Sequence, residues 1–391
     1  MPVVSPSLAG QSVENCKQVV PLRAPRDMYV ILTSRCNLRC RHCYGAFGDA
    51  ADASAELSGD QWIEVFRQAA EMGVFFVNLA GGEPTLHPDF PRIIDGLVDL
   101  GLHFILTTNG MTTPACLRAL ARARDHILGL KISIDGPTAA SHGSLRHGLN
   151  GQPHPHAFEQ SLRTAAYLRD HDIPYTVATC LHRDNIALMP EFEKLLVELR
   201  PTSWFLATIS PVGRAREQYH QIIADDGQWS PEYWEGVRTR LNAQGIYVRY
   251  IDMATAQRAD GRPSPFSCPA ATEFCEIGAD GTVSPCPLSR VVIPGHIMPF
   301  DNILRKSLRD IWHGQQFQTF RRWRGRGCDG CGIFGECGRC VAQSLQWWQD
   351  PDLPPPFCIK KGEVLGLSQL PRLTGKLTER WAELGEARPC S

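Results

Sequence analysis

The segment Cys36-Asn-Leu-Arg-Cys40-Arg-His-Cys43 packs three thiols into one short loop. In a reducing compartment such a cluster reads as metal binding or catalysis, not as disulfides. A cubane iron–sulfur cluster has four irons, so three thiolates leave one iron free to take a small molecule. A catalytic zinc keeps a position open in the same way. Zinc is the alternative occupant, with His42 recruited as a ligand. Zinc motifs, however, usually pair their cysteines at two-residue gaps, and nothing nearby completes a second pair. Eight further cysteines fall in a second set: Cys268, Cys275, Cys286, Cys328, Cys331, Cys337, Cys340 and Cys358. Eight thiols suffice for two four-coordinate clusters, although CxxC…CxxC is also zinc-ribbon spacing. Cys16, Cys116, Cys180 and Cys390 stand alone, and each defaults to a small buried or terminal residue.

Strand and helix signals alternate upstream. Short β-branched runs at 28–33, 74–80, 103–108, 128–134, 175–181 and 203–209 carry few charges, as strands buried on both faces should. Between them the pattern predicts helices over Asp60–Glu71 (capped by Ser58), Phe90–Leu100, Cys116–Arg124, Phe158–His171 and Leu188–Leu199. Six βα units imply a parallel sheet with right-handed crossovers, short of the eight that close a barrel. The expected fold is therefore α/β: a partial (β/α)6 TIM-like barrel with a small cysteine-rich iron–sulfur domain at the C-terminal side. In such folds the site lies where strands end and loops begin, which is where the Cys36 loop falls. The expected division is an N-terminal segment (1–24), the barrel (25–215), a connecting segment (216–260) with one helix and a strand at Ile246–Ile251, the cysteine-rich domain (261–365), and a terminal helix (Leu373–Leu384) and tail within 366–391. The cysteine-rich part has too little periodicity for a large core and would need metal staples.

The cysteine loop resembles the CxxxCxΦC signature of radical S-adenosylmethionine (AdoMet, SAM) enzymes, with His42 at the aromatic position. The second strand runs into Gly81-Gly82-Glu83-Pro84, similar to the family's GGE motif. The resemblance implies that this segment holds the AdoMet amino group. It also implies roles in binding AdoMet for Asn109 after strand three, for Ser133 and Asp135 at the ribose, and for Arg146 at the carboxylate. The segment Ser210–Arg214 resembles a family loop near the adenine. The implied activity is reductive cleavage of AdoMet to a 5′-deoxyadenosyl radical that abstracts hydrogen from a substrate inside the barrel. An external one-electron donor of flavodoxin or ferredoxin type is implied with it.

The second cysteine set resembles the SPASM domain of peptide-maturing radical AdoMet enzymes, including the mycofactocin and pyrroloquinoline quinone maturases and anaerobic sulfatase maturases. The resemblance implies one auxiliary [4Fe–4S] cluster on Cys268, Cys275, Cys286 and Cys340, and a second on Cys328, Cys331, Cys337 and Cys358. With the AdoMet-binding cluster this makes three. One departure is that Gly338 and Arg339 leave two residues between Cys337 and Cys340 where the family has three. Fully ligated auxiliary clusters have no open iron, which favours electron transfer or structure over substrate ligation.

Forty basic residues against forty-one acidic give a formal charge of −1, with no surplus to recruit nucleic acid or an anionic membrane. No apolar run approaches the ~20 residues of a bilayer span, and the start lacks a secretory pattern, so a cytoplasmic location is expected. The favoured substrate is a ribosomally made peptide, oxidised or cross-linked. Roughly 25 residues precede the first strand, fewer than a fused leader-binding domain needs, so a separate protein would deliver the peptide. The alternative is dehydrogenation or epimerisation of a sugar-like or tetrapyrrole small molecule, for which Cys180 would be the hydrogen donor. A non-catalytic metal scaffold is disfavoured by the intact Cys36 loop and GGE motif. Asn78, Thr179 and Asn185 are candidate polar residues of the barrel interior. His142, His147, His154 and His156 read as one solvated or substrate-lining loop.

Overall fold

The computed structural model describes residues 21–48, 55–223, 231–251, 268–324, 340–348 and 351. The auxiliary cysteines Cys328, Cys331, Cys337 and Cys358, together with Cys16, Cys390 and the expected terminal helix, lie outside the described residues.

The chain builds β1 (Asp27–Ile31), α1 (Gly59–Met72), β2 (Phe76–Ala80), α2 (Phe90–Asp99), β3 (His103–Thr108), α3 (Pro114–Arg122) and β4 (Ile127–Ser133). It continues with α4 (Ala139–Gly143), α5 (Ala157–Asp170), β5 (Thr176–Leu181), α6 (Met189–Leu199) and β6 (Ser203–Thr208). Helices begin where the local chemistry allows. Ser58 and Gln61 form a reciprocal cap on α1, and Gly73 closes it with φ 79°. Thr113 caps α3. Asp89 precedes α2 but makes no cap hydrogen bond there, because its carboxylate accepts from Gly59 N at 3.0 Å.

All six strands are parallel neighbours in chain order, as expected for the partial barrel. Their outward residues form the core against the helices. Met28, Val30, Val77, Leu79, Phe104, Leu106, Leu130, Ile132, Val177, Trp204 and Leu206 are all at 0% exposure. Each such apolar side chain contributes roughly 1.5–3 kcal/mol by leaving water. The residues between them are only half-buried on β3, β4, β5 and β6. The concave face therefore surrounds a lumen that solvent reaches.

Two strands extend the six. After α7 (Ala215–Ile222) and α8 (Pro231–Ala243), β7 (Tyr247–Ile251) pairs parallel to β6, so the strand expected in a connecting segment belongs to the barrel sheet. At the other edge, β8 (Phe274–Ile277) of the cysteine-rich region pairs parallel to β1, Met28 opposite Cys275. The hairpin partner β9 (Thr282–Ser284) and the short β10 (Asp301–Asn302) complete one ten-stranded sheet, ordered β10-β9-β8-β1-β2-β3-β4-β5-β6-β7. Gly281, at φ 80°, makes the turn between β8 and β9. Helices α9 (Pro287–Val292), α10 (Leu308–His313), α11 (Gln315–Arg324) and α12 (Val341–Trp348) pack the remainder.

Candidate active site

The cysteine loop leaves the C-terminal end of β1 and is held from three sides. From β2, Gly82 N and Glu83 N donate to the carbonyls of Thr33 and Arg35 at 2.9 and 2.8 Å. This approach needs glycine, since a Cβ on Gly82 would collide with the Arg35 carbonyl. From the segment after α4, the carbonyls of Leu145 and His147 accept from Arg41 N and Arg39 N at 2.9 and 2.7 Å. From the loop after β6, Arg214 N and Nε reach the carbonyls of Cys43 and Cys40, each at 3.0 Å, and its Nη2 reaches Phe47 O at 2.5 Å. Gly213, at φ 56°, lets that strap lie against the Cys43 and Tyr44 carbonyls.

The three sulfurs face one another closely enough to interact electrostatically. Burial pushes the Cys36 thiol up to about 12 and the Cys40 thiol to about 11. A bare loop would thus keep these thiols protonated, and a metal ion is what would deprotonate them. The donor set fits an iron–sulfur cluster bound through three thiolates.

Glu83 is fully buried. Its carboxylate accepts from Thr85 Oγ1 at 2.7 Å, Thr108 Oγ1 at 2.8 Å and Asn109 N at 2.7 Å. Burial still pushes its carboxyl above the usual range. Its side chain therefore ties the β2 turn to the end of β3. Asn109 Nδ2 donates to Asn37 Oδ1 at 2.7 Å, and Pro84 opens the short turn Pro84–Leu86.

Asp135, beyond β4, is the centre of a second network. It accepts from Arg146 Nε at 2.6 Å and from Cys180 N at 2.8 Å, while Asn185 Nδ2 donates to its carbonyl at 2.9 Å. Against burial, the Arg146 guanidinium holds its carboxyl well below the usual carboxylate range. Arg146 Nη1 also lies 3.9 Å from Cys40 Sγ. Expected at the AdoMet carboxylate, Arg146 is thus engaged with Asp135 and beside the Cys40 thiol. His42 Nε2 is 3.7 Å from Asp135 Oδ2, and desolvation pulls its pKa down to about 3, so it is neutral. Ligand atoms of His42, Asp135 and Cys180 lie within 4.8 Å of one another, but the Arg146 charge disfavours a cation there. Ser133 and Cys180 sit half-buried on the concave face of β4 and β5.

Some expectations fall elsewhere. Thr179 points into the helix layer, donating to Ile134 O at 2.6 Å and accepting from Trp204 Nε1 at 3.0 Å, because residue parity on β5 turns it away from the lumen. Asn78 does face the interior, donating to Asp27 at 3.1 Å. His142 departs from the solvated histidine group. It is 1% exposed, with Nδ1 accepting from Asp135 N at 3.2 Å. Glu56 is a residue the sequence reading missed. It accepts from Thr33 Oγ1 at 2.9 Å and Ser34 N at 2.8 Å, and pairs with Arg35 at 3.3 Å. A lone acid in a loop outside every motif carries no signal for that role.

In the cysteine-rich region, Cys286 lies within electrostatic reach of Cys268 and Cys340. This brings three of the expected auxiliary ligands together despite the shortened spacing before Cys340. Cys275 is buried on β8, with Asp27, Glu276 and Arg321 as its charged neighbours. Arg321 is buried across the rings of Trp312 and Phe317, with Nε donating to Ala271 O at 2.6 Å, and its Nη2 has no partner among the described residues. A guanidinium with a free donor suits a negatively charged group nearby.

A parallel partial barrel with an open three-thiolate loop at its C-terminal rim, welded to a cysteine-rich hairpin, defines an iron–sulfur enzyme of radical type. Residues 30–196 match the Radical SAM superfamily, and residues 268–340 match SPASM, an iron–sulfur cluster-binding domain. Among relatives, PqqA peptide cyclase of Methylorubrum populi is 30% identical over 350 residues, covering 87% of this chain and 86% of that one. AdoMet-dependent heme synthase of Nitratidesulfovibrio vulgaris is 28% identical over 354 residues, covering 84% and 91%. In structure, SuiB of Streptococcus suis bound to S-adenosylmethionine matches with a TM-score of 0.68 at 17% identity, covering 88% and 78%. The chain belongs to the radical SAM superfamily and carries a SPASM domain. It is a radical SAM oxidoreductase whose cofactors are AdoMet and iron–sulfur clusters.

Proposed function

We propose that this enzyme oxidatively modifies or cross-links residues of a ribosomally made peptide. The observation that carries the reading is the likeness to a peptide cyclase across nearly the whole chain, cysteine-rich domain included. The solvent-reached lumen below the cysteine loop gives a peptide segment somewhere to enter.

Cys36, Cys40 and Cys43 hold the AdoMet-binding cluster, and when bound the cofactor supplies hydrogen-atom abstraction by a carbon radical. The chain's own part is placement and exclusion of water. The Gly81–Pro84 turn presents its backbone to the methionine amine, with the Glu83 carboxylate fixing that turn to Thr108 and Asn109. Ser133 and the Asp135–Arg146 pair would meet the ribose and carboxylate of bound AdoMet. His42, neutral and only slightly exposed, lies against Asp135 beside the cysteine loop. Cys268, Cys275, Cys286 and Cys340 hold one auxiliary [4Fe–4S] cluster and Cys328, Cys331, Cys337 and Cys358 the other. They serve electron transfer, with a flavodoxin- or ferredoxin-type donor and a separate peptide-delivery protein as partners. In this reading the barrel (25–215) carries the radical site and 261–365 the auxiliary clusters, while the connector (216–260) lends its strand β7 to the barrel sheet; the chemistry suits a reducing cytoplasm. No helix among the described residues is long and apolar enough to cross a membrane.

A second reading, radical dehydrogenation or epimerisation of a small molecule such as a tetrapyrrole, draws on the likeness to heme synthase. The test is anaerobic reconstitution followed by incubation with a short peptide encoded beside this chain. About twelve irons per chain and a product lighter by a pair of hydrogen atoms are expected. Stoichiometric zinc without iron overturns the radical assignment. An unchanged peptide alongside a turned-over tetrapyrrole overturns the peptide reading.

A further inference from the structure

The lumen wall opposite the cysteine-rich hairpin carries charge that the radical chemistry does not use. On β4, Leu130 and Ile132 enter the core at 0% exposure, so Lys131 between them faces the lumen. Its Nζ lies 5.1 Å from the centre of the Phe205 ring on β6. Arg249 on β7 is the register partner of Phe205, near enough to repel Lys131. Around Lys131 the register places Thr107 and Thr176, and the Thr176 and Ser203 hydroxyls bond at 2.7 Å. Among the described residues, no carboxylate pairs with Lys131 or Arg249.

Desolvation and Arg249 both push the Lys131 ammonium down from its ordinary value. A cation in such a place is costly unless an anion joins it. An ammonium on an aromatic face, two hydroxyls and a guanidinium at the edge strand together form a cradle for a carboxylate. Lys131 is four residues before Asp135, roughly 13 Å along the strand. A group held there lies below the cofactor rim, as a substrate must.

We propose that Lys131, with Phe205 and Arg249, forms an anion site in the barrel lumen that binds a carboxylate of the substrate. This rests on the lumen being the substrate's place, and it names the chemistry of what enters. An acidic side chain of a peptide and a propionate of a porphyrin both supply the group.

The test is equilibrium dialysis of the full, anaerobically reconstituted chain against three probes: a short peptide containing Glu, the same peptide with Gln, and protoporphyrin IX. Lys131→Met should weaken the Glu peptide roughly tenfold or more and leave the Gln peptide unchanged. Lys131→Arg should restore most of the difference. Loss of porphyrin binding alone upholds the carboxylate site while removing the peptide reading. Equal effects on Glu and Gln peptides, no effect on any probe, or no saturable binding to the unsubstituted protein each overturn the site. Lys131→Met with altered iron content or thermal midpoint reports a folding defect, and Lys131→Gln then carries the comparison.

Discussion

At the residue scale, the chemistry depends on thiols that the protein alone would keep protonated. Replacing Cys36, Cys40 or Cys43 with Ala should abolish 5′-deoxyadenosine formation, read by chromatography after anaerobic reduction. Cys180→Ala should still cleave AdoMet, because that thiol faces the lumen from β5, outside the three-cysteine loop. If Cys180→Ala instead converts an epimerised product to an oxidised one, the small-molecule reading gains. Asp135 and Arg146 form a buried ion pair at 2.6 Å. Asp135→Ala leaves the guanidinium without its carboxylate and should cost about 3–5 kcal/mol in denaturant unfolding. Asp135→Leu with Arg146→Met should cost less than the two single changes combined. The motif residues Cys36–Cys43 and Gly81–Pro84 were readable because metal and backbone chemistry demand particular types at particular spacings. Glu56 was not, since it acts on the loop from a stretch whose local sequence is ordinary, and Ser210–Arg214, marked by resemblance as a loop near the adenine, gave no sign that Arg214 would strap the cysteine loop.

At the element scale, the six strands and five intervening helices of the barrel emerged from alternation of short β-branched runs with capped amphipathic ones. Their boundaries moved by at most two residues, as at α3, where Thr113 caps a start at Pro114 ahead of the expected Cys116. Inward and outward parity was legible only in part. Every barrel strand is largely apolar, so the assignment of Thr179 to the helix layer and Cys180 to the lumen needed the register. β8 is the consequential element. Its Ile277 is fully buried and pairs with Val30 of β1. Ile277→Ala should cost about 2–5 kcal/mol and lower a single thermal transition. Two separate transitions, with the barrel's midpoint unmoved, would show that the cysteine-rich region unfolds on its own.

At the scale of the whole molecule, one continuous sheet joins the three-cysteine loop to the cysteine-rich region. Ala279, just past β8, packs with Ile31 and Phe47 beside Cys36 and Cys43. Cys286→Ser should remove one auxiliary cluster, taking iron from about twelve to about eight per chain. Slow AdoMet cleavage by the Cys36 loop should survive, measured as 5′-deoxyadenosine released without substrate. Iron falling to zero would mean that the clusters stabilise one another through the shared sheet.

The sequence by itself determined the three-thiol loop, the parallel partial barrel and the presence of a second thiol-rich region, and the resemblance of its motifs to a known family implied the AdoMet chemistry. The first three follow from local spacing and periodicity, which the chain carries wherever it folds. Tertiary structure decided that Glu83 and Arg146 are held inside the protein, that β7 and β8 extend the barrel on both edges, and that Lys131 stands in the lumen with no carboxylate partner among the described residues. These depend on which distant segments meet, and pairing across tens to hundreds of residues leaves no periodic mark on either partner.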